Sequence, residues 1–240
     1  MNSIVVRIEE YLDSTYLKLP EEVGISSEET EIIINKIIED GIASNFACVM
    51  IRPNFVSKAV KKIQTSKSKL KVGTVIDFPF GNSSTEKKIE EAEEAISNGA
   101  YDIDFVCDYN SFKRGSFVKF DADIVEGTKI CIENKKITKW IIETGALSKD
   151  EIRNISKRIT KIIQSKFPKY ASKVFIKTST GYYGGYGATI KDVKLIKSVS
   201  GNLKIKASGG VSNLIDAKAM IKAGADRIGT SKAQLIYNEK

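Results

Sequence analysis

The run KVFIKTSTG, residues 173–181, carries Val174, Phe175 and Ile176 and then ends on a charge, Lys177. The run LKIKASGG, residues 203–210, repeats the pattern with Lys206 ahead of a small-residue turn. A lysine closing a single strand ordinarily sends its ammonium into solvent while its methylene stem packs. Two lysines at equivalent ends of strand-like runs point instead to a pair facing one site. An amine is a nucleophile only when neutral, and burial or a second nearby ammonium both favour the neutral form. Asp104, in GAYDIDFV, offers a carboxylate on a third strand-like run to exchange protons with them. A Lys-Lys-Asp set of this kind suits Schiff-base chemistry on a carbonyl.

Composition narrows the alternatives. The chain has no histidine, which removes the commonest zinc ligand and the commonest general base near neutral pH. A His-ligated metalloenzyme and a Ser-His-Asp or Cys-His hydrolase are excluded on that ground, and neither a metal nor an organic cofactor is expected. Cys48, Cys107 and Cys131 are widely spaced and form no CxxC pair, so they read as reduced packing residues. A net charge of +8 and the basic run KKIQTSKSKLK at 61–71 raise nucleic-acid binding. No aromatic residue interleaves that run, so a solvated helix face is the better reading, and no nucleic-acid partner is expected. No apolar stretch approaches the roughly 20 residues of a membrane span. The start MNSIVVRIEEYLD lacks a basic region followed by an apolar one. These features predict a soluble, cytoplasmic chain with no membrane partner.

The elements that must hold the lysines recur as a unit of amphipathic helix, Gly-containing turn and short apolar strand. EEAEEAISNGAYDIDFV at 90–106 and AKAMIKAGADRIGTS at 217–231 are the clearest copies, with INKIIEDGIASNFACVM at 34–50 a looser one. In each, Gly is expected as the left-handed helix cap. Strands are predicted at Tyr11–Thr15, Phe46–Ile51, Lys71–Asp77, Asp102–Cys107, Trp140–Glu143, Val174–Thr178, Lys204–Ala207 and Arg227–Gly229. Helices are predicted at Ser27–Asp40, Asn54–Ser66, Thr85–Asn98, Lys149–Ser165, Ile190–Val199 and Leu214–Ala223. The interval 108–138 is less regular and reads as a short helix plus a strand pair. Eight near-continuous apolar strands alternating with helices, in 240 residues, predict an α/β fold, a (β/α)₈ TIM barrel, as one domain over 1–240 with no linker.

In such a barrel the chemistry lies at the C-terminal ends of the strands. Asp13, Asn54, Asp77, Asp104, Glu143, Lys177 and Lys206 fall there. The turns ASGGVS at 207–212 and GTS at 229–231 follow the last two strands. They expose backbone N–H groups with few side chains in the way, which suits a phosphate group.

The segments ACVMIRPNFV, VGTVIDFPFGNSSTE, IIETGALSKDEI, KTSTGYYGGYGAT, IKASGGVSN and ADRIGTS, together with LDSTYLK at 12–18, resemble the deoxyribose-phosphate aldolase family over nearly the whole chain. KTSTG followed by the ASGG turn is the specific part. The resemblance implies a class I, cofactor-free aldolase that reversibly cleaves 2-deoxy-D-ribose 5-phosphate into acetaldehyde and D-glyceraldehyde 3-phosphate. It implies that Lys177 forms the Schiff base, that Lys206 is the second lysine and that Asp104 relays protons. Asp13 and Thr15 match its D-x-T element, and Cys48 its cysteine near the substrate. Thr180, Gly181, Gly209, Gly210, Gly229 and Ser231 match positions around the substrate and its phosphate. A homodimer is also implied. Two departures stand out: Asp77 occupies a position where glycine is more common, and Tyr182 and Tyr183 follow KTSTG where Lys or Phe is common, leaving the phosphate its backbone donors. Two alternatives remain open from the residues: a metal-free barrel aldolase for another phosphorylated sugar, separable by a substrate panel, and a non-enzymatic nucleic-acid binder, separable by steep salt dependence.

Overall fold

Eight parallel strands close on themselves in chain order in the computed structural model, which describes residues 7–240. The first six residues, and with them the start of the segment searched for a leader, lie outside the described residues. The strands are β1 (Leu12–Tyr16), β2 (Cys48–Ile51), β3 (Lys71–Ile76), β4 (Asp102–Val106), β5 (Ile137–Ile141), β6 (Val174–Lys177), β7 (Lys204–Ser208) and β8 (Arg227–Thr230), and β8 returns to pair with β1. Around them run α1 (Pro20–Val23), α2 (Ser27–Ser44), α3 (Val56–Thr65), α4 (Thr85–Ser97), α5 (Tyr109–Lys113), α6 (Phe117–Glu133), α7 (Lys149–Lys166), α8 (Ile190–Lys197), α9 (Leu214–Ala223) and α10 (Ala233–Asn238). The expected (β/α)₈ barrel is therefore the fold.

Local sequence sets the helix starts. Ser26 accepts the Glu29 N–H at 3.1 Å while Glu29 reaches back to the Ser26 N–H at 2.8 Å, and Ser148 and Glu151 do the same for α7. Each such box satisfies two of the free N–H groups of a first turn. The strand residues that point outward, among them Val49, Ile51, Ile103, Phe105, Trp140, Ile176 and Ile205, are buried against the helices in one large core. Inside the barrel Leu17, Cys48, Met50 and Val75 form a small apolar cluster with Phe78 against them, and buried Val106, Ile141 and Phe175 share the inward side of their strands with Asp104, Lys139 and Lys177. Much of the remaining lumen is charged.

Three expectations need correction. The strand placed at Trp140–Glu143 is Ile137–Ile141. It starts earlier because Lys139, which looks like a loop residue in sequence, points into the lumen between the outward Thr138 and Trp140. The interval 108–138 holds no strand pair but the short α5 and the 17-residue α6. The buried stripe of α6, Phe120, Asp123, Ile124, Gly127, Thr128 and Cys131, keeps helical spacing. Its Gly127 sits where a Cβ would come within 2.8 Å of the Trp140 ring. Gly41 caps nothing. It lies inside α2, where a Cβ would approach Leu70 Cδ2 to 2.9 Å, and the helix runs on to Ser44 before Asn45 turns left-handed at φ 56°. Gly224, by contrast, caps α9 in the left-handed region as expected.

Candidate active site

The register across the barrel brings distant residues to one level. Lys177 pairs with Lys206, Lys206 with Arg227, and Asp104 with Lys139 along neighbouring strands. Alternation along each strand then turns all five side chains into the lumen. Asp104 is the hub: its Oδ2 accepts from Lys177 Nζ and from Lys206 Nζ, each at 2.9 Å, and its Oδ1 accepts from Lys139 Nζ at 2.8 Å. Lys206 also pairs with Asp13 Oδ2 at 2.7 Å. Arg227 donates to Asp13 Oδ1 through Nε at 2.6 Å and reaches Asp102 Oδ2 at 3.3 Å, and Lys139 donates to that same Asp102 oxygen at 2.6 Å.

Burial and this network decide the charge states. Burial alone would raise the Asp104 carboxyl, but the ammonium groups of Lys139, Lys177 and Lys206 outweigh it and hold the group well below the usual carboxylate range. Burial likewise opposes ionisation of Asp13, and Arg227, Lys206 and Lys139 reverse it. Burial would drive Lys139 neutral, yet Asp102, Asp104 and Asp13 raise it above the usual lysine value. Among the described residues Lys177 has only Asp104 as a carboxylate partner. Burial lowers it, Lys206 and Lys139 add repulsion, and Asp104 offsets only part, so it is pushed down to about 8. Desolvation thus outranks the second ammonium as the cause.

The other expected site residues divide in two. Thr15, Thr180, Gly181, Gly209, Gly210, Gly229 and Ser231 all line one cavity of about 670 Å³ at the C-terminal mouth. Asp13, Cys48, Asp104, Lys177 and Lys206 lie beneath, fully buried. Cys48 is turned toward Met50, 3.8 Å between sulfurs, and burial pushes its thiol up, so it sits in the apolar part of the lumen. Gly229 keeps the two levels in contact: a Cβ there would lie 2.8 Å from Ser208 Oγ and 2.9 Å from Lys206 Cε. Gly209 and Gly210 adopt φ 90° and 79°, a conformation side chains resist, which bares the backbone N–H groups of that turn. Lys18 and Lys232 join the cavity wall, exposed and with no ion pair among the described residues.

Sequence reasoning missed Asp102, Lys139 and Arg227. The available signal was the two-residue period: Asp102 lies two before Asp104, and Arg227 two before Gly229. It also left Glu143 without a role. This buried residue, at φ 56°, accepts the Thr180 N–H at 3.1 Å and the Thr180 hydroxyl, and so anchors the turn after β6. Burial raises its carboxyl, against those two hydrogen bonds. Asp77 is also a turn anchor, accepting the Ser83 N–H at 2.9 Å and the Ser83 hydroxyl at 2.8 Å. Asn54 lies in a 3₁₀ turn, Pro53–Phe55, and does not line the cavity. The basic run at 61–71 covers the end of α3 and the approach to β3, with Lys62 paired to Glu39 at 2.7 Å.

The chain is 42% identical over 222 residues to a deoxyribose-phosphate aldolase of Staphylococcus saprophyticus, covering 92% of this chain and 91% of that protein. It is 40% identical over 227 residues to deoxyribose-phosphate aldolase 1 of Staphylococcus aureus strain MSSA476, covering 94% and 93%. The chain belongs to the deoxyribose-phosphate aldolase family. It is therefore an aldolase, a lyase. Among solved structures, an aldolase named QR15 superposes with a TM-score of 0.78 at 34% identity, covering 99% of this chain and 96% of that one. The deoxyribose phosphate aldolase of Aeropyrum pernix, described as a tetramer, shares the fold with a TM-score of 0.79 at 24% identity, covering 96% and 89%. No family model matches the chain.

Proposed function

We propose that this aldolase reversibly cleaves 2-deoxy-D-ribose 5-phosphate into acetaldehyde and D-glyceraldehyde 3-phosphate through an imine on Lys177, as one domain over residues 1–240. The observation that carries the reading is a buried lysine poised near neutrality, held by one carboxylate oxygen it shares with Lys206, below a cavity walled by the Gly209–Gly210 turn.

The neutral amine of Lys177 adds to the C1 aldehyde of the open-chain sugar. Asp104 and Lys206 move the protons that let the carbinolamine lose water, giving a protonated imine. Removal of the C3 hydroxyl proton breaks the C2–C3 bond, and the electron pair flows into the imine to give an enamine while glyceraldehyde 3-phosphate leaves. Protonation of the enamine carbon and hydrolysis then release acetaldehyde and restore the amine. Asp13 supports this set by saturating Lys206, and Thr15 and Thr180 contact the sugar from the cavity wall. Cys48 shapes the apolar floor. The backbone of Gly181, Gly209, Gly210 and Gly229, with Ser231, Lys18 and Lys232, receives the phosphate at the wall formed after β7 and β8. The reading places the chain in the cytoplasm, in deoxyribose catabolism, as a homodimer. The three buried free thiols suit a reducing compartment, and among the described residues no helix is long and apolar enough to cross a membrane.

Borohydride reduction in the presence of 2-deoxyribose 5-phosphate, followed by peptide mapping, tests nucleophile and substrate together. The label is expected on Lys177 and absent from Lys177→Arg. A label on another lysine, or turnover by Lys177→Arg above a few per cent of the parent rate, overturns the assignment.

A further inference from the structure

The charged lumen extends well below the two lysines and the aspartate that do the chemistry, and its composition is uneven. Three carboxylates, Asp13, Asp102 and Asp104, meet four bases, Lys139, Lys177, Lys206 and Arg227, through contacts of 2.6 to 3.9 Å. Six of the seven side chains are buried, and Arg227, at the edge of the set, is 15% exposed. A net charge in such a place is costly, because little water reaches it to compensate. Three of the bases are locked: Lys139 lies between Asp102 and Asp104, Lys206 between Asp13 and Asp104, and Arg227 between Asp13 and Asp102. Lys177 alone touches a single carboxylate, and that carboxylate is shared with two other ammonium groups.

Building on the aldolase reading, we propose that Asp102, Lys139 and Arg227 are positioning residues that set the charge state of Lys177 by counting. With one base in excess, the lattice is neutral when Lys177 is the group that carries no proton. The low proton affinity needed for imine formation is then a property of the whole ring of seven, not of the Lys177–Lys206 pair. The remaining titratable groups near Lys177 lie outside the ring, at positions that the variants below leave unchanged, so they act on every variant alike. Glu143, above it after β5, is engaged by Thr180 and forms no ion pair, and the Cys48 thiol, on β2, stays protonated through burial.

The count predicts opposite effects from substitutions that never touch the substrate. Lys139→Met removes a locked cation, leaving three carboxylates to three bases, so Lys177 is held protonated. Asp102→Asn removes a carboxylate at nearly constant shape, leaving the bases in greater excess, so Lys177 deprotonates more easily. The double variant removes one of each and restores the original difference. A charge within about 4–6 Å moves a neighbouring group by about one pH unit or more; Lys139 meets Lys177 across their shared Asp104, and Asp102 acts through Lys139.

The test reads imine formation with acetaldehyde alone. The Lys177 amine adds to the aldehyde carbon, water leaves, and cyanoborohydride supplies hydride to the C=N bond, giving an N-ethyl lysine located and counted by peptide mapping. Its initial rate is followed across pH 5–10 with the folded wild type, both single variants and the double variant. The expected midpoints are about one unit higher for Lys139→Met, about one unit lower for Asp102→Asn, and close to wild type for the double variant. Absence of labelling at Lys177 in the wild type would sink the aldolase reading itself. Normal labelling with midpoints that stay fixed, or that move the same way in both single variants, would overturn the counting. Should Lys139→Met fail to fold, the downward move in Asp102→Asn decides alone.

Discussion

Replacing Lys177 by methionine removes the proposed nucleophile and should also make the protein more stable. The side chain is 2% exposed, and its pKa falls from 10.5 to about 8 in the fold. A base with a depressed folded pKa binds fewer protons folded than unfolded, so its contribution to stability rises with pH. Below pH 8 the folded state bears the whole penalty; between pH 8 and 10.5 the penalty fades; above 10.5 it is gone. The fall from 10.5 to about 8, at about 1.4 kcal/mol per pH unit, makes that penalty about 3 to 4 kcal/mol at pH 7. Methionine keeps all but the last atom of the side chain's length and removes the charge, while Asp104 retains Lys139 and Lys206. Urea unfolding followed by circular dichroism at pH 7 and pH 10 measures the difference. Lys177→Met is expected to be inactive, more stable than the parent by up to about 3 to 4 kcal/mol at pH 7, and free of the parent's gain in stability between pH 8 and 10. A variant less stable than the parent at pH 7, or one with the same pH slope, would refute the idea that a buried, destabilised amine is held here for catalysis.

Lys206→Leu removes a cation that pairs with both Asp13 and Asp104. It should lose activity at neutral pH and regain part of it in alkali, as Lys177 becomes harder to deprotonate. A variant inactive at every pH would make proton transfer the main task of Lys206, and a wild-type profile would remove it from the site. In the cavity wall, Lys18→Met with Lys232→Met should raise the KM for 2-deoxyribose 5-phosphate about fivefold to tenfold, at about 1 kcal/mol or less for each exposed cation. The preference over unphosphorylated 2-deoxyribose should fall by the same factor. Equal losses on both sugars would mean that these lysines do not meet the phosphate.

The barrel was legible in the sequence because its signals are local. Helix stripes, the Gly-containing turns after them and eight apolar runs each show within a dozen residues, and their alternation implies a covered parallel sheet. Lys177 and Lys206 were legible for the same reason, each ending an apolar run ahead of a small-residue turn. The local signal failed where a neighbour distant in sequence set the choice. Gly41 looks like a helix end, yet Leu70 is what requires a glycine there. Asp102, Lys139 and Arg227 look like solvated charges, because a strand residue's side is defined only by what the opposite strands bring. Asp13 meets Arg227 across 214 positions, and Asp102 meets Lys139 across 37. The sequence by itself determined which strands exist and which lysines end them. Only closure of the barrel decided that seven charges share one dry interior, and there Coulomb interactions too weak to matter in water determine which of them gives up its proton.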